Sequence, residues 1–477
     1  MAEQDQEIGS GEAMALAWTH FRAWRLGPAE EICRSVAARE PQNAEVAGLL
    51  GVLAHRAGRR EEAIAWMERA AALRPGVAGP HANLSDMYRL AGLMGKAIAA
   101  GRRALSLEPG NRLALSSLGL ALLEIDDVDG ALECLDRHVR IEPGNAALHL
   151  RRSMLRMLNG DIDGGLEEYE WRLAAPNIRP KGLPPLRPAA LPGAPWKGER
   201  LLGKKLFLWS EQGLGDALHC MRFFPTLIGQ GPLRISAQLP PKLHPLIERN
   251  FPYVKLVPHG SELEPADYHC ELMSLLRLVG RSPGWAEPVG PYLTAPEDLV
   301  EGFNRRFAPY EGIKVGLVWS GNSNHRDDAR RSMPGPALLP LLATRGCRFF
   351  SLQIGPKPQD KALFDAGLVD LSAEVSTMTT TAAAVAALDL VIGVDTSLVH
   401  LAGALGTPVW TLLCSVPDWR WGRSGQATPL YRSMRFFRQR QRGDWPGVVG
   451  EAGMALSRAV EARIAGPGGK AGASNVS

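Results

Sequence analysis

Several things the chain has little of narrow the reading first. Its six cysteines, Cys33, Cys134, Cys220, Cys270, Cys347 and Cys414, show no CxxC or other metal-type spacing. Isolated reduced thiols suit that scatter better than a disulfide framework. No apolar run approaches the length needed to span a bilayer. The opening MAEQDQEIGSGE is acidic and polar, with no apolar stretch behind a basic one, so no secretory leader is expected. Charge of one sign is scarce as well: 54 basic and 50 acidic residues leave a formal +4 over 477 residues. Such a balance makes no field that would draw nucleic acid or an anionic membrane. Together these absences lead us to expect a cytoplasmic chain with no transmembrane segment and no nucleic-acid partner. What is there is ordinary globular material, 45% hydrophobic and 22% charged, in a length that calls for about two to four domains.

The first third repeats. Pro41, Pro75, Pro109 and Pro143 stand 34 residues apart in REPQNAE, LRPGVAG, LEPGNRL and IEPGNAA, which is the tetratricopeptide period. Leu50-Gly51, Leu84 and Leu118-Gly119 recur on a first helix. Ala29, Ala63, Ala97 and Ala131 recur where two helices of a hairpin must approach closely. Small residues at one phase and a proline closing each second helix are what stacked helical hairpins require. A weaker fifth unit runs from Ala146 to GDIDGGLEEYEWRL, so the predicted solenoid covers residues 10–173. Such an array is either purely structural or offers a concave surface to a peptide or protein.

Seven prolines between Pro176 and Pro195 then break the helical pattern, and predict a surface connector over residues 174–200. Beyond it, short apolar runs alternate with amphipathic stretches of helical length. LFLWS, LRISAQL, VKLVPH, VGLVWS, RFFSLQI, LVIGV and PVWTLL are strand candidates, and continuous apolar strands between helices imply parallel sheets covered on both faces. A Pro/Gly-interrupted break over residues 281–312 divides the region. The expectation is an α-solenoid followed by two doubly wound, Rossmann-like α/β lobes, residues 201–300 and 301–465, with a cleft between them and a disordered tail at 466–477.

Ligands of such sheets sit outside the carboxyl ends of the strands, so three segments draw attention. EQGLGDALHC follows the first strand: Gly213 and Gly215 permit a tight turn and Asp216 lies near a helix start. Leu218 stands where a dinucleotide fingerprint wants a third glycine. Asp216 is then either a helix cap or a functional carboxylate. GNSNHRDDARRSMP follows VGLVWS and carries Asn322, His325, Arg326, Arg330 and Arg331, groups suited to phosphate oxygens. VDTSLVHLAGALGTPVW ends a buried strand with Asp395, puts Thr396 and Ser397 at the following helix start as caps, and places His400 one turn inside. The free N–H groups of a helix start make an anion site. PDWRWG adds Asp418, Trp419 and Trp421 after the next strand.

WSEQGLGDALHCMRFFP, VGLVWSGN, FFSLQIGP, VIGVDTSLVHLAGALGTPVW, PDWRWG and MRFFRQ, in this order behind tetratricopeptide repeats, resemble the bacterial repeat-containing glycosyltransferases. Their catalytic half is similar to the heptosyltransferases, glycosyltransferase family 9 of the GT-B fold. The resemblance implies transfer of a sugar from a nucleotide-diphosphate donor, held by the C-terminal lobe, to a protein or glycan acceptor on the N-terminal lobe. It implies Asp216 as the catalytic base and Gln212, Gly213 and Gly215 as the acceptor-side loop. It implies a donor site formed by Trp319, Asn322, Arg331, Gln353, Lys357, Asp395, Thr396, Ser397 and His400. Ile354 stands where some relatives carry a lysine, a charge that Lys357 or Arg331 would replace. No metal is implied, because Asp-x-Asp occurs only as Asp127/Asp129 and Asp161/Asp163, inside the repeats. No cofactor is implied either, the nucleotide sugar being a co-substrate. The expected enzyme is thus inverting and metal-independent, with the repeats recruiting the acceptor. The alternative is a repeat-bearing scaffold whose transferase half has lost its activity. RSMRFFRQRQR, a basic run with two phenylalanines, reads as structural.

Overall fold

Thirty-four residues suffice for two short helices and their turns, and the period resolves into that. Helices α1 (Ser10–Arg22), α2 (Leu26–Arg39), α3 (Ala44–Arg56), α4 (Arg60–Leu73), α5 (Ala78–Leu90), α6 (Met94–Leu107), α7 (Arg112–Glu124), α8 (Val128–Ile141) and α9 (Ala146–Leu158) alternate in hairpins. The structure is a computed structural model that describes residues 9–174, 191–280, 290–324 and 327–465. The turns explain themselves chemically. Asn43, Asn111 and Asn145 cap α3, α7 and α9 by accepting first-turn N–H groups. Each capping amide in turn donates to Glu40, Glu108 or Glu142, three residues earlier. Val77 takes the position before α5 and leaves that helix without a side-chain cap. Arg69, Arg103 and Arg137, again one period apart, donate to the carbonyls of Pro41, Pro75 and Pro109 at 2.7, 3.1 and 2.9 Å. Ala29, Ala63, Ala97 and Ala131 are wholly buried, and Ser85 on α5 donates to the Ala97 carbonyl at 2.9 Å. A methyl group fills the space there.

The chain divides into two compact units, Met1–Asn159 and Gly160–Ser477. The helix Ile162–Tyr169 and the turn of 3-10 helix Glu170–Ala174, assigned to the solenoid by repeat phase, therefore group with the second unit. Side-chain chemistry is the cause: Arg172 pairs with Glu211 at 2.9 Å and Gln212 donates to the Tyr169 hydroxyl at 2.6 Å.

Two parallel sheets make up the second unit. The first has the order β1-β5-β2-β3-β4, with β1 (Ala194–Pro195), β2 (Lys205–Trp209), β3 (Arg234–Gln238), β4 (Val254–Leu256) and β5 (Tyr268–Glu271). The second has the order β11-β10-β9-β6-β7-β8, with β6 (Ile313–Val318), β7 (Cys347–Ser351), β8 (Val369–Asp370), β9 (Leu390–Val394), β10 (Val409–Leu413) and β11 (Met434–Arg438). Counted from β6, that is the doubly wound order 3-2-1-4-5-6. Every residue of β9 and β10 is buried, as strands covered on both faces must be. The helix Trp445–Ala465 lays Val448, Val449, Ala452 and Leu456 into the core of the second sheet.

VKLVPH forms a strand only to Leu256, and β1, β5 and β8 arise where no strand was expected. Most of the proline-rich connector, part of the 281–312 break, His325, Arg326 and the tail lie outside the described residues. Where the connector is described, it enters the first sheet as an edge strand, Ala194 opposite Tyr268 and Pro195 opposite His269. Proline is tolerated there because an edge position leaves one side of the strand unpaired. No helix among the described residues is long and apolar enough to cross a membrane.

Enlarging a buried inter-helix alanine should be far costlier than enlarging an exposed one on the same helix. Ala97→Leu is expected to destabilise the repeats by about 1–3 kcal/mol through overpacking, whereas Ala99→Leu on the exposed face of α6 should be nearly neutral. Urea unfolding followed by far-UV circular dichroism measures both, and equal midpoints would contradict this packing.

Candidate active site

The chain order in each sheet reverses direction at one point, between β2 and β5 in the first and between β6 and β9 in the second. A crevice opens at the carboxyl ends of such a strand pair. After β9 come Asp395 and Thr396, the residue before the helix Ser397–Leu405. Thr396 does not cap that helix as expected: its side chain makes no capping bond, and its buried hydroxyl has no hydrogen-bond partner. The first-turn N–H groups thus lack a side-chain acceptor from it. His400 is buried one turn in, with Nδ1 2.9 Å from the Tyr431 hydroxyl. Its ring lies 4.9 Å from Trp421 and 6.0 Å from His219, nearly parallel to the latter. Gly403 makes this possible. A Cβ there would fall 2.5 Å from the Tyr431 ring, so only glycine lets Tyr431 lie across the helix and reach His400. Burial, reinforced by Arg420, pushes the His400 pKa down to about 3, so the ring is neutral.

The glycine-containing turn of the first lobe meets this helix directly. The helix Leu214–Cys220 begins after Gly213, whose N–H donates to Asp216 Oδ2 at 3.1 Å. The capping reading of Asp216 is therefore satisfied by one of its oxygens. A Cβ on Gly215 would lie 3.1 Å from His400 Cδ2 and 3.6 Å from Ser397 Cα, so the turn abuts the start of the opposing helix. The other Asp216 oxygen, Oδ1, is ion-paired with Nη2 of Arg420. Gln212, next to the turn, donates to Tyr169 Oη.

Arg420, between the two tryptophans of PDWRWG, is the hub that sequence reasoning passed over. Besides Asp216, it donates to Asp418 Oδ1 at 2.8 Å and to His219 Nδ1 at 3.3 Å, and its guanidinium covers the Trp419 ring at 4.5 Å. A guanidinium only donates, so His219 Nδ1 must be the acceptor and the ring proton sits on Nε2. Burial, followed by the Arg420 charge, holds the His219 pKa well below its ordinary value. Burial works against an ionised Asp418, but Arg420 outweighs it and keeps that carboxyl below its usual range. Asp395 goes the other way. Burial, then the neighbouring Asp418 charge, pushes it up to about 6, against the pull of Arg331. Arg331 itself rests near Asp328, 3.7 Å from Nε to Oδ1, too far for a hydrogen bond.

The remaining expected residues separate by orientation. Trp319 is packed into the core of the second sheet. Gln353 is buried, its Oε1 accepting the Trp319 and Ser320 N–H groups at 3.2 and 3.0 Å and its Nε2 donating to the Ile354 carbonyl. The Gln353 side chain ties the ends of β6 and β7 together, and both side chains are turned inward. Asn322 and Lys357 are exposed. Asn322 accepts the Asn324 N–H at 3.0 Å, and the Lys357 N–H donates to Asp360. Ile354 is 63% exposed. The basic run forms β11, with Phe436 and Phe437 buried. Arg438 there donates to the carbonyls of Trp421, Gly422, Ser424 and Gly425. It fastens the loop that follows Arg420.

A carboxyl whose pKa is raised on folding contributes stability below its ordinary pKa, 3.8 for aspartate, and loses that contribution as pH rises through the folded value near 6. Relative to wild type, Asp395→Asn should therefore gain stability between pH 4.5 and pH 8, by at most about 3 kcal/mol. Melting temperatures of the two proteins across that range test it, and a difference independent of pH would contradict the charge environment described.

Comparison with known proteins adds three findings. Residues 362–445 match the family model Glycosyltransferase family 9 (heptosyltransferase), and residues 14–78 and 95–146 match Tetratricopeptide repeat. The chain is 27% identical to Protein FlbA of Caulobacter vibrioides over 96% of its own length and 85% of that protein's. Among solved structures, it is similar to MamA (20% identity, 33% of this chain and 92% of that one, TM-score 0.31) and to a thermophilic repeat protein of Thermus thermophilus (19%, 36% and 93%, TM-score 0.30). The chain thus combines tetratricopeptide repeats with a segment, residues 362–445, that matches glycosyltransferase family 9 (heptosyltransferase).

Proposed function

We propose that the protein is an inverting, metal-independent glycosyltransferase that moves a sugar from a nucleotide-diphosphate donor to a hydroxyl of a protein or glycan acceptor, which the repeats recruit. The observation that carries this reading is the meeting of Asp216, from the glycine turn of one lobe, with Arg420 and the Ser397–Leu405 helix start of the other.

In this reading the acceptor oxygen attacks the anomeric carbon while Asp216 takes its proton. Oδ1 is engaged by Arg420, so Oδ2, which receives only the Gly213 N–H among the contacts above, is the oxygen for the incoming hydroxyl. The bond from the anomeric carbon to the diphosphate breaks on the opposite face, and the departing diphosphate takes the electron pair. Its growing charge is met by the N–H groups at Ser397, the unpartnered Thr396 hydroxyl and the guanidinium of Arg331. Asn322 and Lys357, both exposed at strand ends, are the further donor contacts. Asp395, its carboxyl lifted to about 6, is suited to bond a sugar or ribose hydroxyl. Neutral, buried His400 orients the helix start through Tyr431 rather than shuttling protons. The tetratricopeptide repeats support protein recruitment as their part.

One observation favours the scaffold alternative: the exposed, apolar Ile354 at the carboxyl end of β7 adds no charge to this edge. Two measurements separate the readings. Asp216→Asn should lower transfer about 10²–10⁴-fold, the usual worth of a general base, and leave nucleotide affinity near wild type. Retained transfer would remove the base assignment. A thermal-shift series with nucleoside diphosphates should raise the melting temperature for at least one of them, whereas none doing so would leave the scaffold.

A further inference from the structure

The stretch Ile162–Ala174 carries the repeat phase, with Gly165 standing 34 residues after Ala131, yet its polar side chains are spent inside the second unit. Arg172 is buried at the crevice between β2 and β5. Its Nε and Nη2 both donate to Glu211 Oε1, at 3.0 and 2.9 Å, and Nη2 also donates to Ser274 Oγ at 2.7 Å. Glu211 stands just beyond β2, after Ser210, and also accepts the Met273 N–H, beyond β5, at 3.3 Å. Glu170 closes the set by accepting from Arg172 Nη1 at 2.5 Å and from Ser274. One residue on, Gln212 is held by Tyr169 Oη. The turn that ends in Asp216 is therefore fastened at two successive residues by the same short segment.

A second path reaches Asp216 from the other side. The Arg172 guanidinium lies 5.0 Å from the Tyr169 ring, that ring lies 6.4 Å from Trp419, and Trp419 carries Arg420 at 4.5 Å. The two rings are tilted against each other, each attracts the cation at its own end, and this run of contacts finishes on the guanidinium that pairs with Asp216. Nothing in this arrangement touches the position of a donor diphosphate.

We propose that Tyr169 and Arg172 are positioning residues of the transferase, acting through Gln212 and Glu211 on one side and Trp419 on the other to fix the Asp216 carboxylate. The inference rests on Asp216 being the base. Its test uses the full chain. Tyr169→Phe keeps the ring against Trp419 and removes the oxygen that Gln212 bonds. The pair Arg172→Met with Glu211→Gln removes the buried Arg172–Glu211 ion pair as a unit, and leaves the partly exposed Glu170 to Ser274 and to Arg277, 3.9 Å away. In both proteins backbone amides of residues 211–216 should exchange hydrogen roughly tenfold faster, with those of β9 unchanged. The kcat of sugar transfer should fall roughly tenfold or more, since small misplacements of catalytic groups carry large rate effects. Donor KM and melting temperature should stay close to wild type, and Tyr169→Trp should not restore the turn. Exchange at 211–216 unchanged in both variants would overturn the proposal, as would a fall in kcat without faster exchange there. An Asp216→Asn protein that transfers sugar normally would sink the base assignment instead, and the exchange data would still decide whether the segment holds the turn.

Discussion

A buried guanidinium has five N–H groups to satisfy and no way to lose its charge. Arg420 meets that demand with Asp216 from one lobe, Asp418 from its own loop, His219 and the face of Trp419. Stripping one partner from a buried ion pair typically costs about 3–5 kcal/mol. The figure is smaller on the Asp216 side, where 23% of the side chain stays exposed. Much of the site follows from this constraint: Trp419 lies under the guanidinium, Asp418 remains ionised, and the Arg420 charge adds to the burial that keeps both histidines neutral. A lobe movement that separated Asp216 from Arg420 would need another anion near the guanidinium.

The same cluster sorts its acids by environment. Asp418, in contact with Arg420, is held low, while Asp395, buried next to the Asp418 charge, is lifted. Two neighbouring carboxyls thus titrate apart, as acids do where one sits against a cation and the other is buried beside its neighbour's charge. Before any ligand binds, Arg420 is paired with Asp216 and Asp418, while Arg331 lies beside Asp328. A double-minus diphosphate would then find its attraction in the helix start and in Arg331.

Much of the fold was legible because it rests on period and continuity. The 34-residue recurrence fixed the hairpins, and LVIGV, PVWTLL and LFLWS are strands because uninterrupted apolar runs suit only a two-sided interior. YHCE hid as β5, since His269 and Glu271 are polar residues buried at a strand whose burial comes from neighbours far along the chain. The edge strands β1 and β8 have only two residues each, too few to show alternation. Site motifs marked where the carboxyl ends lie but not which way each side chain turns there. Trp319 and Gln353 adjoin the edge and point inward, whereas Asn322 and Lys357 point out. Arg420 could not be found from its surroundings in the sequence, because the carboxylate it pairs with is 204 residues away. The sole hint was a lone cation between two tryptophans and beside an aspartate.

The boundary at Gly160 has a consequence for inheritance and engineering. A repeat array looks like something that can be lengthened, trimmed or exchanged a hairpin at a time, because each unit leans only on its neighbours. Here the last helix in phase is bonded into the second unit, so the exchangeable portion stops short of where the pattern stops. Gene fusions or swaps that join foreign repeats at the proline-rich connector would discard Tyr169 and Arg172 with the old array. Those joined ahead of Gly160 would keep them.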